Sequence, residues 1–272
     1  MSGKRLLNSS LSELVERFKK ADVVEEMEKR YQNAPARLIP TSSIDDNSFI
    51  AEATLSEETV KAFAEQLSSR GIYNPLVLKR KGDRYEIVLG RKRLFGAREA
   101  GIVSLPSVIT DIGEEEELLV LLADNRDQRE SSIIEMALLC RELQTRYGYT
   151  AATLGGLSHQ SRSQIANTLR LLRLPPQLRK DINQGKLSYG HARAIACLSE
   201  KDALTAAKVI YQEGLSVRET ENLVRRMRNG VPKEIAGFDE YDCQVNEGKT
   251  DIRIHFSSEK EKERFLADLA KK

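Results

Sequence analysis

The chain has 272 residues, enough by length for two or three small domains. Its 43 Lys and Arg nearly balance 41 Asp and Glu, charged residues make up 31%, aromatics 6%, and tryptophan is absent, which suits a helix-rich soluble protein. No run approaches the roughly 18 apolar residues of a membrane span, the start Met1-Ser2-Gly3-Lys4-Arg5 lacks the apolar stretch of a signal peptide, and Cys140, Cys197 and Cys243 stand too far apart for a zinc site.

In chain order, Leu11, Leu14, Val15, Phe18, Ala21 and Val24 lie on one stripe and predict an amphipathic helix over 10–31, stopped by Asn33-Ala34-Pro35. Thr54-Leu55-Ser56-Glu57 has the form of a capping box opening a helix to about Arg70. Residues 75–80 and 84–89 read as two short strands around a Lys81-Gly82-Asp83 turn. Gly90 breaks the second strand, a helix follows over about 92–100, and 105–110 reads as a third strand. This alternation fits a small α+β domain. The run Glu114–Glu117 reads as a solvated helix start, where carboxylates suit the dipole. From Ser131 strand signals vanish. Helices fit 131–147, 150–157, 161–173, 176–184, 188–198, 200–213 and 216–228, divided by Gly148, Pro175-Pro176, Gly185, Gly190 and Gly214. After a linker at Asn229-Gly230-Val231-Pro232, alternating Tyr241, Cys243 and Val245, a Gly248 turn, and Ile252, Ile254 and Phe256 predict a hairpin. A charged helix with Phe265, Leu266 and Leu269 follows. Two strands and one helix bury too little surface alone, so this tail is expected to dimerise. Cys140 and Cys197 are expected in the core as reduced thiols.

The charges are unevenly spread. Between Glu142 and Glu200 there is one acid, Asp181, against Arg146, Arg162, Arg170, Arg173, Arg179, Lys180, Lys186 and Arg193, whereas the mean acid density would give about nine acids there. A net positive surface inside a nearly neutral chain suits a duplex backbone, because cations release counterions from phosphate and carboxylates would repel it. Residues 150–174 have the layout of a short helix, a turn and a second helix. In such units the second helix enters the major groove and its N-terminal side chains reach base edges. Ser161, Arg162, Ser163, Gln164 and Asn167 occupy that face, Arg170 follows, and Ile165, Leu169 and Leu172 form the packing stripe. Arg suits guanine, and Gln or Asn suits adenine. Gly155 and Gly156 weaken the first helix by about 0.5–1 kcal/mol each, and His159 stands at the turn.

Residues 161–175, Ser-Arg-Ser-Gln-Ile-Ala-Asn-Thr-Leu-Arg-Leu-Leu-Arg-Leu-Pro, closely resemble the ParB family, the centromere-binding proteins of chromosome and plasmid partition. Residues 185–194 resemble the family's next DNA-contacting segment, 213–224 the end of its central domain, and Arg84–Arg93 with Ala97 and Ala100-Gly101 its nucleotide-pocket strand and loop. The resemblance covers roughly 38–230. It implies an N-terminal segment (1–34), a ParB/sulfiredoxin-like α+β domain binding CTP (35–127), an all-α helix-turn-helix domain binding a palindromic parS site (128–229), a linker (230–238) and a ββα dimerisation domain (239–272). It further implies a homodimer, a CTP-gated sliding clamp, and a ParA-type ATPase stimulated by a basic N-terminal segment, here Lys4 and Arg5. The expected location is the bacterial cytoplasm, on the nucleoid. His191 and Arg193 join the DNA-binding residues. They are two apart on a helix and do not share a face, so one is expected on DNA and the other in packing or a cap; the family pattern favours Arg193 on DNA.

The nucleotide pocket departs from the family pattern. The usual loop is Gly-Glu-Arg-Arg-x-Arg; here it is Gly90-Arg91-Lys92-Arg93-Leu94-Phe95. The second motif, usually Glu-Asn-x-Gln-Arg, aligns with Asp124-Asn125-Arg126-Asp127-Gln128, and Asp46–Ile50 stands where a Gln-Pro-Arg element is usual. Gly90, Arg91, Lys92, Arg93, Asp124 and Asn125 are the cofactor-binding candidates for CTP. Asp124 is the candidate for Mg2+ and for any hydrolytic role. Two other readings stay open: a nucleoid-occlusion or transcription-regulating relative on the same scaffold, and, from another class, a CTP hydrolase or nuclease. The Glu-rich polar side of 10–31 argues against a membrane-binding start.

Overall fold

A computed structural model describes residues 35–71, 74–128, 132–229, 243–247 and 252–269. The helix expected over 10–31, the Lys4-Arg5 segment, the linker and Tyr241 lie outside these residues. The chain divides into two compact units with the break between Lys208 and Val209.

The first unit opens with a five-stranded mixed sheet. Its strands are β1 (Arg37–Pro40), β2 (Ile44–Asp45), β3 (Leu76–Lys81), β4 (Arg84–Leu89) and β5 (Ser104–Thr110), in the order β1-β5-β3-β4-β2. β3 and β4 form the expected hairpin, with Lys81 opposite Arg84, and β5 runs parallel to β3. Successive side chains point to opposite faces of a strand. Leu76 and Leu78 therefore join Ile39, Ile44, Ile87, Leu94 and Leu105 in one buried cluster beneath α1 (Glu57–Arg70) and α2 (Arg91–Glu99). Val77 and Val88 face the other way, against α3 (Glu114–Asp127), and Leu89 joins them at the end of β4, opposite Val77 where the β3–β4 register shifts. The α1 cap is Ser56, which accepts from the Thr59 N–H at 3.1 Å, so the helix opens two residues later than a box headed by Thr54.

The run at Glu114–Glu117 does begin a helix, but Glu117 is fully buried rather than solvated. Its carboxylate accepts from Lys79 Nζ at 2.6 Å and from Asn47 Nδ2 at 2.8 Å. Burial tends to discharge Lys79, and the Glu117 and Glu86 carboxylates hold its pKa above the ordinary value. From Glu117 to Ala123 every α3 residue is buried. The sheet covers this helix on one side and α4 (Ile133–Tyr147) on the other, where Met136, Leu139, Cys140 and Leu143 extend the same core.

Helices α5 (Ala151–Leu157), α6 (Arg162–Arg170), α7 (Pro176–Asn183), α8 (Tyr189–Ile195) and α9 (Glu200–Glu213) follow. Thr150, Ser161 and Ser188 cap α5, α6 and α8, each accepting the N–H three residues on. α5 and α6 are the predicted helical pair. Gly155 is needed for its tightness: a Cβ there would stand 2.5 Å from the Gln160 carbonyl oxygen. That close approach lets the Gln160 N–H donate to the Gly155 carbonyl at 2.8 Å and closes the turn. His159 in the turn has φ 54°, the one non-glycine in the left-handed region among the described residues. The inner face of α6 carries Ile165 and Thr168, with Leu171 beyond it, all buried; Leu169 packs only partly, and Leu172 is half-exposed. The 3₁₀ turn Leu171–Arg173 changes the winding and replaces the expected Leu172 by Leu171. Cys140 is buried as expected, whereas Cys197, just past α8, is exposed.

The second unit holds the end of α9, then α10 (Val217–Asn229), the antiparallel strands β6 (Cys243–Glu247) and β7 (Ile252–Phe256), and α11 (Glu259–Leu269). Phe265 of α11 packs on Phe256 with ring centroids 5.2 Å apart, and Leu266 is half-exposed.

Candidate functional site

A cavity of about 320 Å3 lies where the end of β4, the start of α2, the end of α3 and the start of α4 converge. Gly90 makes the turn out of β4 with φ 98°, and a Cβ there would meet Leu76 Cδ2 at 2.6 Å, so only glycine fits. The turn leads the chain directly into α2, and the first-turn N–H groups of Arg91, Lys92 and Arg93 have no acceptor within the helix. Their dipole and the Lys92 side chain on the cavity wall suit an anion. Arg93 also lines the cavity and donates to the Asn74 and Pro75 carbonyls. Ile50, Leu55, Phe63, Val88, Leu121 and Leu139 give an apolar wall suited to a flat ring.

Across the cavity, Asn125 is 3% exposed. Its Nδ2 donates to the Ser132 carbonyl at 3.1 Å and to Glu135 Oε2 at 3.3 Å, while its buried Oδ1 has no partner. An orphaned buried acceptor costs about 1–3 kcal/mol, a cost a ligand's hydroxyl or amine would remove. Asp124 lines the same space and accepts from Gln128 Nε2 at 2.5 Å. Arg91 lies at the cavity too, but its guanidinium is turned to the Asp46 and Glu135 carboxylates. Burial pushes the Glu135 carboxyl up, and Arg91 opposes that shift. Among the described residues no group of three or more His, Cys, Asp or Glu could hold a metal ion. Asp124 and Glu135 are the carboxylates that line the cavity, and Glu135 is paired with Arg91.

The second set of predicted residues lies on α6 and α8. Ser161 and Gln164 form a full capping box: Ser161 Oγ accepts from the Gln164 N–H at 3.2 Å, and Gln164 Oε1 accepts from the Ser161 N–H at 2.7 Å. Ser163 Oγ shares a hydrogen bond of 2.9 Å with Ser161 Oγ, and Arg170 Nη1 donates to Asn167 Oδ1 at 3.1 Å. Arg162, Ser163, Gln164 and Arg170 are exposed, and Asn167 is half-buried at the edge of the same face. His191 and Arg193 have different surroundings. The His191 ring takes part in the α8 cap through Nδ1 and Ser188 Oγ at 2.8 Å, its Nε2 is buried without a partner, and Arg193 is exposed.

Residues 25–126 match the family model of the ParB N-terminal domain, and residues 129–229 that of the ParB HTH domain. The chromosome-partitioning protein Spo0J of Thermus thermophilus is 34% identical over 189 residues, which are 70% of this chain and 70% of that protein.

The chain belongs to the ParB family.

Chromosome-partitioning protein ParB of Caulobacter vibrioides is 31% identical over 197 residues, covering 71% of this chain and 64% of that one. Among solved structures, the C-terminally truncated ParB of Caulobacter crescentus complexed to the centromeric parS site is 29% identical, covering 70% of this chain and 99% of that chain with a TM-score of 0.41. The same protein complexed with CTP-gamma-S is 26% identical, covering 64% and 98%, with a TM-score of 0.33.

The departures from the ParB pattern have visible consequences. Gln128, one place later than the usual glutamine, still reaches the cavity. Arg126 turns away to Asp127 at 2.5 Å and to the Leu157 carbonyl at 3.1 Å. Asp46 accepts from Arg91 through both carboxylate oxygens, at 2.7 Å each. Sequence reasoning missed Glu135, which stands 44 residues from Arg91 in the chain; in the sequence it reads as an ordinary first-turn acid three residues after the cap Ser132.

Proposed function

We propose that this ParB-family chain is a dimeric, sequence-specific DNA-binding protein that recognises a parS-like palindrome. In this reading it acts in chromosome or plasmid segregation with a ParA-type ATPase, and a CTP-type nucleotide in the cavity gates a sliding clamp. The observation that carries the DNA reading is the acid-poor stretch 143–199, whose second short helix presents Arg162 exposed at its first position. An α helix fits the major groove, and an arginine there can fork onto guanine.

Three features support the nucleotide reading. Gly90 brings the backbone into the helix N-terminus, Lys92 adds positive charge, and Asn125 Oδ1 offers a buried acceptor for a base or ribose donor. Mg2+ would enter with the phosphates, and Asp124 would hold it or a water. Dimerisation is assigned to β6, β7 and α11, since a two-stranded sheet with the half-exposed Leu266 on its helix is a surface a second copy can cover.

The test of the DNA reading is binding of the full chain to a parS-type duplex and to a scrambled duplex at fixed salt. Specific binding tighter by about a thousandfold or more is expected, and Arg162→Ala should lose about 1–3 kcal/mol on the palindrome alone. Equal affinity for the two duplexes would contradict the assignment.

A further inference from the structure

Arg91 is the first residue of α2 after the Gly90 turn and lines the cavity, yet its charge is committed elsewhere. Its Nε and Nη2 donate to the two Asp46 oxygens at 2.7 Å each, and its Nη1 donates to the Ala53 carbonyl at 2.7 Å and to Glu135 Oε1 at 2.6 Å. Four of the five guanidinium N–H bonds are thereby used. The side chain is 9% exposed and stacks 5.5 Å from the Phe95 ring centroid. Its acceptors come from three places: the segment after β2, the approach to α1, and the first turn of α4.

That first turn of α4 is itself tied in two directions. Glu135 Oε2 receives Asn125 Nδ2 from the end of α3. Ser132 Oγ, at the α4 cap, donates to Asn183 Oδ1 of α7 at 2.9 Å. Asn183 is the last residue of α7, and five residues on Ser188 caps α8. A second cavity of about 430 Å3 opens along this seam and shares Leu55, Lys92 and Glu135 with the first. The other ion pair here, Arg179 to Glu52 at 2.7 Å, is weaker by position, because Glu52 is 54% exposed.

We propose that Arg91 is a positioning residue rather than a nucleotide ligand: it fastens the anion-binding turn of α2 to α4, so that filling the cavity is transmitted through Glu135 and Asn125 toward α7 and α8. The transmission half rests on the nucleotide reading above; the fastening half does not. Without Arg91, Asp46 and Glu135 would face each other without their shared countercharge, and the seam would open.

The experiment uses the full chain as wild type, Arg91→Met and Glu135→Gln. Glu135→Gln keeps the shape of the site and removes one charge, so it decides the matter should Arg91→Met fail to fold. Hydrogen exchange without ligand comes first. Amides over 44–56 and 132–140 should exchange about tenfold faster in each variant, with those of β3 to β5 unchanged. Inorganic triphosphate should still bind both variants within about threefold of wild type, whereas the factor by which a parS-type duplex strengthens CTP binding, typically about five- to hundredfold for coupled sites, should fall toward one. Unchanged exchange in both variants would overturn the fastening. Loss of triphosphate binding by Arg91→Met with unchanged exchange would make Arg91 a direct ligand. Should wild type bind neither CTP nor triphosphate, the nucleotide reading would fail and with it the transmission half, while the exchange result would still decide the fastening.

Discussion

Single residues set the sharpest constraints here. Gly90 combines φ 98° with a backbone so close to Leu76 that a methyl group would have to displace its Cδ2. Gly90→Ala should therefore destabilise the fold by about 1–3 kcal/mol, read from the denaturant midpoint, and weaken triphosphate binding in parallel. His159 is the reverse case, a side chain where glycine would be at ease. A left-handed non-glycine costs about 1–2 kcal/mol, and glycine returns about 0.5–1 kcal/mol of that through its freer unfolded chain. His159→Gly should thus raise stability by roughly 0.5–1 kcal/mol, and a fall in the thermal midpoint would contradict the strain argument. Glu86 adds a pH signature. Burial pushes its carboxyl up, but the Ser48 N–H, at 2.5 Å, and the Lys79 and Lys81 ammonium groups hold it below its ordinary 4.5. A depressed folded pKa means the stabilisation is fully present above about pH 4.5 and is lost as pH falls through the lower folded value. Glu86→Gln should flatten the loss of stability on acidification below that point, as followed by urea midpoints across the range.

At the scale of elements, the helix-turn-helix depends on its caps and its close approach. Ser161 stabilises α6 through a reciprocal capping box, so Ser161→Ala should cost about 0.5–2 kcal/mol and show as faster exchange of the first α6 amides. The helices after Ser131 were legible in the sequence because Thr150, Ser161, Ser188, Gly148 and Gly185 mark their ends with local chemistry. β1 and β2 were not, since strands of four and two residues carry too little pattern. Gly155 looked like a weakness in α5, and only the turn's geometry shows it is a requirement. Glu117 looked solvated because four consecutive acids at a helix start usually are, and its burial depends on Lys79 and Asn47, far away in the chain. Gly90, Lys92, Asp124 and Asn125, grouped by the family motif, line one cavity. The commitment of Arg91 to Asp46 and Glu135 was not, because an arginine in a phosphate loop reads first as a phosphate cation.

For the whole molecule, the proposed function couples the basic stretch to the cavity. The basic, acid-poor stretch 143–199 predicts DNA binding that falls steeply with salt, log K dropping by about 0.9 per phosphate neutralised per log unit of salt. Removing 232–272 should leave monomers by light scattering while isolated half-sites still bind; a stable dimer in that truncation would place the interface elsewhere. The most direct test of the central claim is a calorimetric titration of CTP into the full chain, with and without a parS-type palindrome. The account predicts saturable binding that the palindrome strengthens and a scrambled duplex does not. CTP binding unaffected by the palindrome, beside intact site-specific DNA binding, would contradict the coupling of cavity and recognition helices and leave a DNA-binding protein that works by static occupancy.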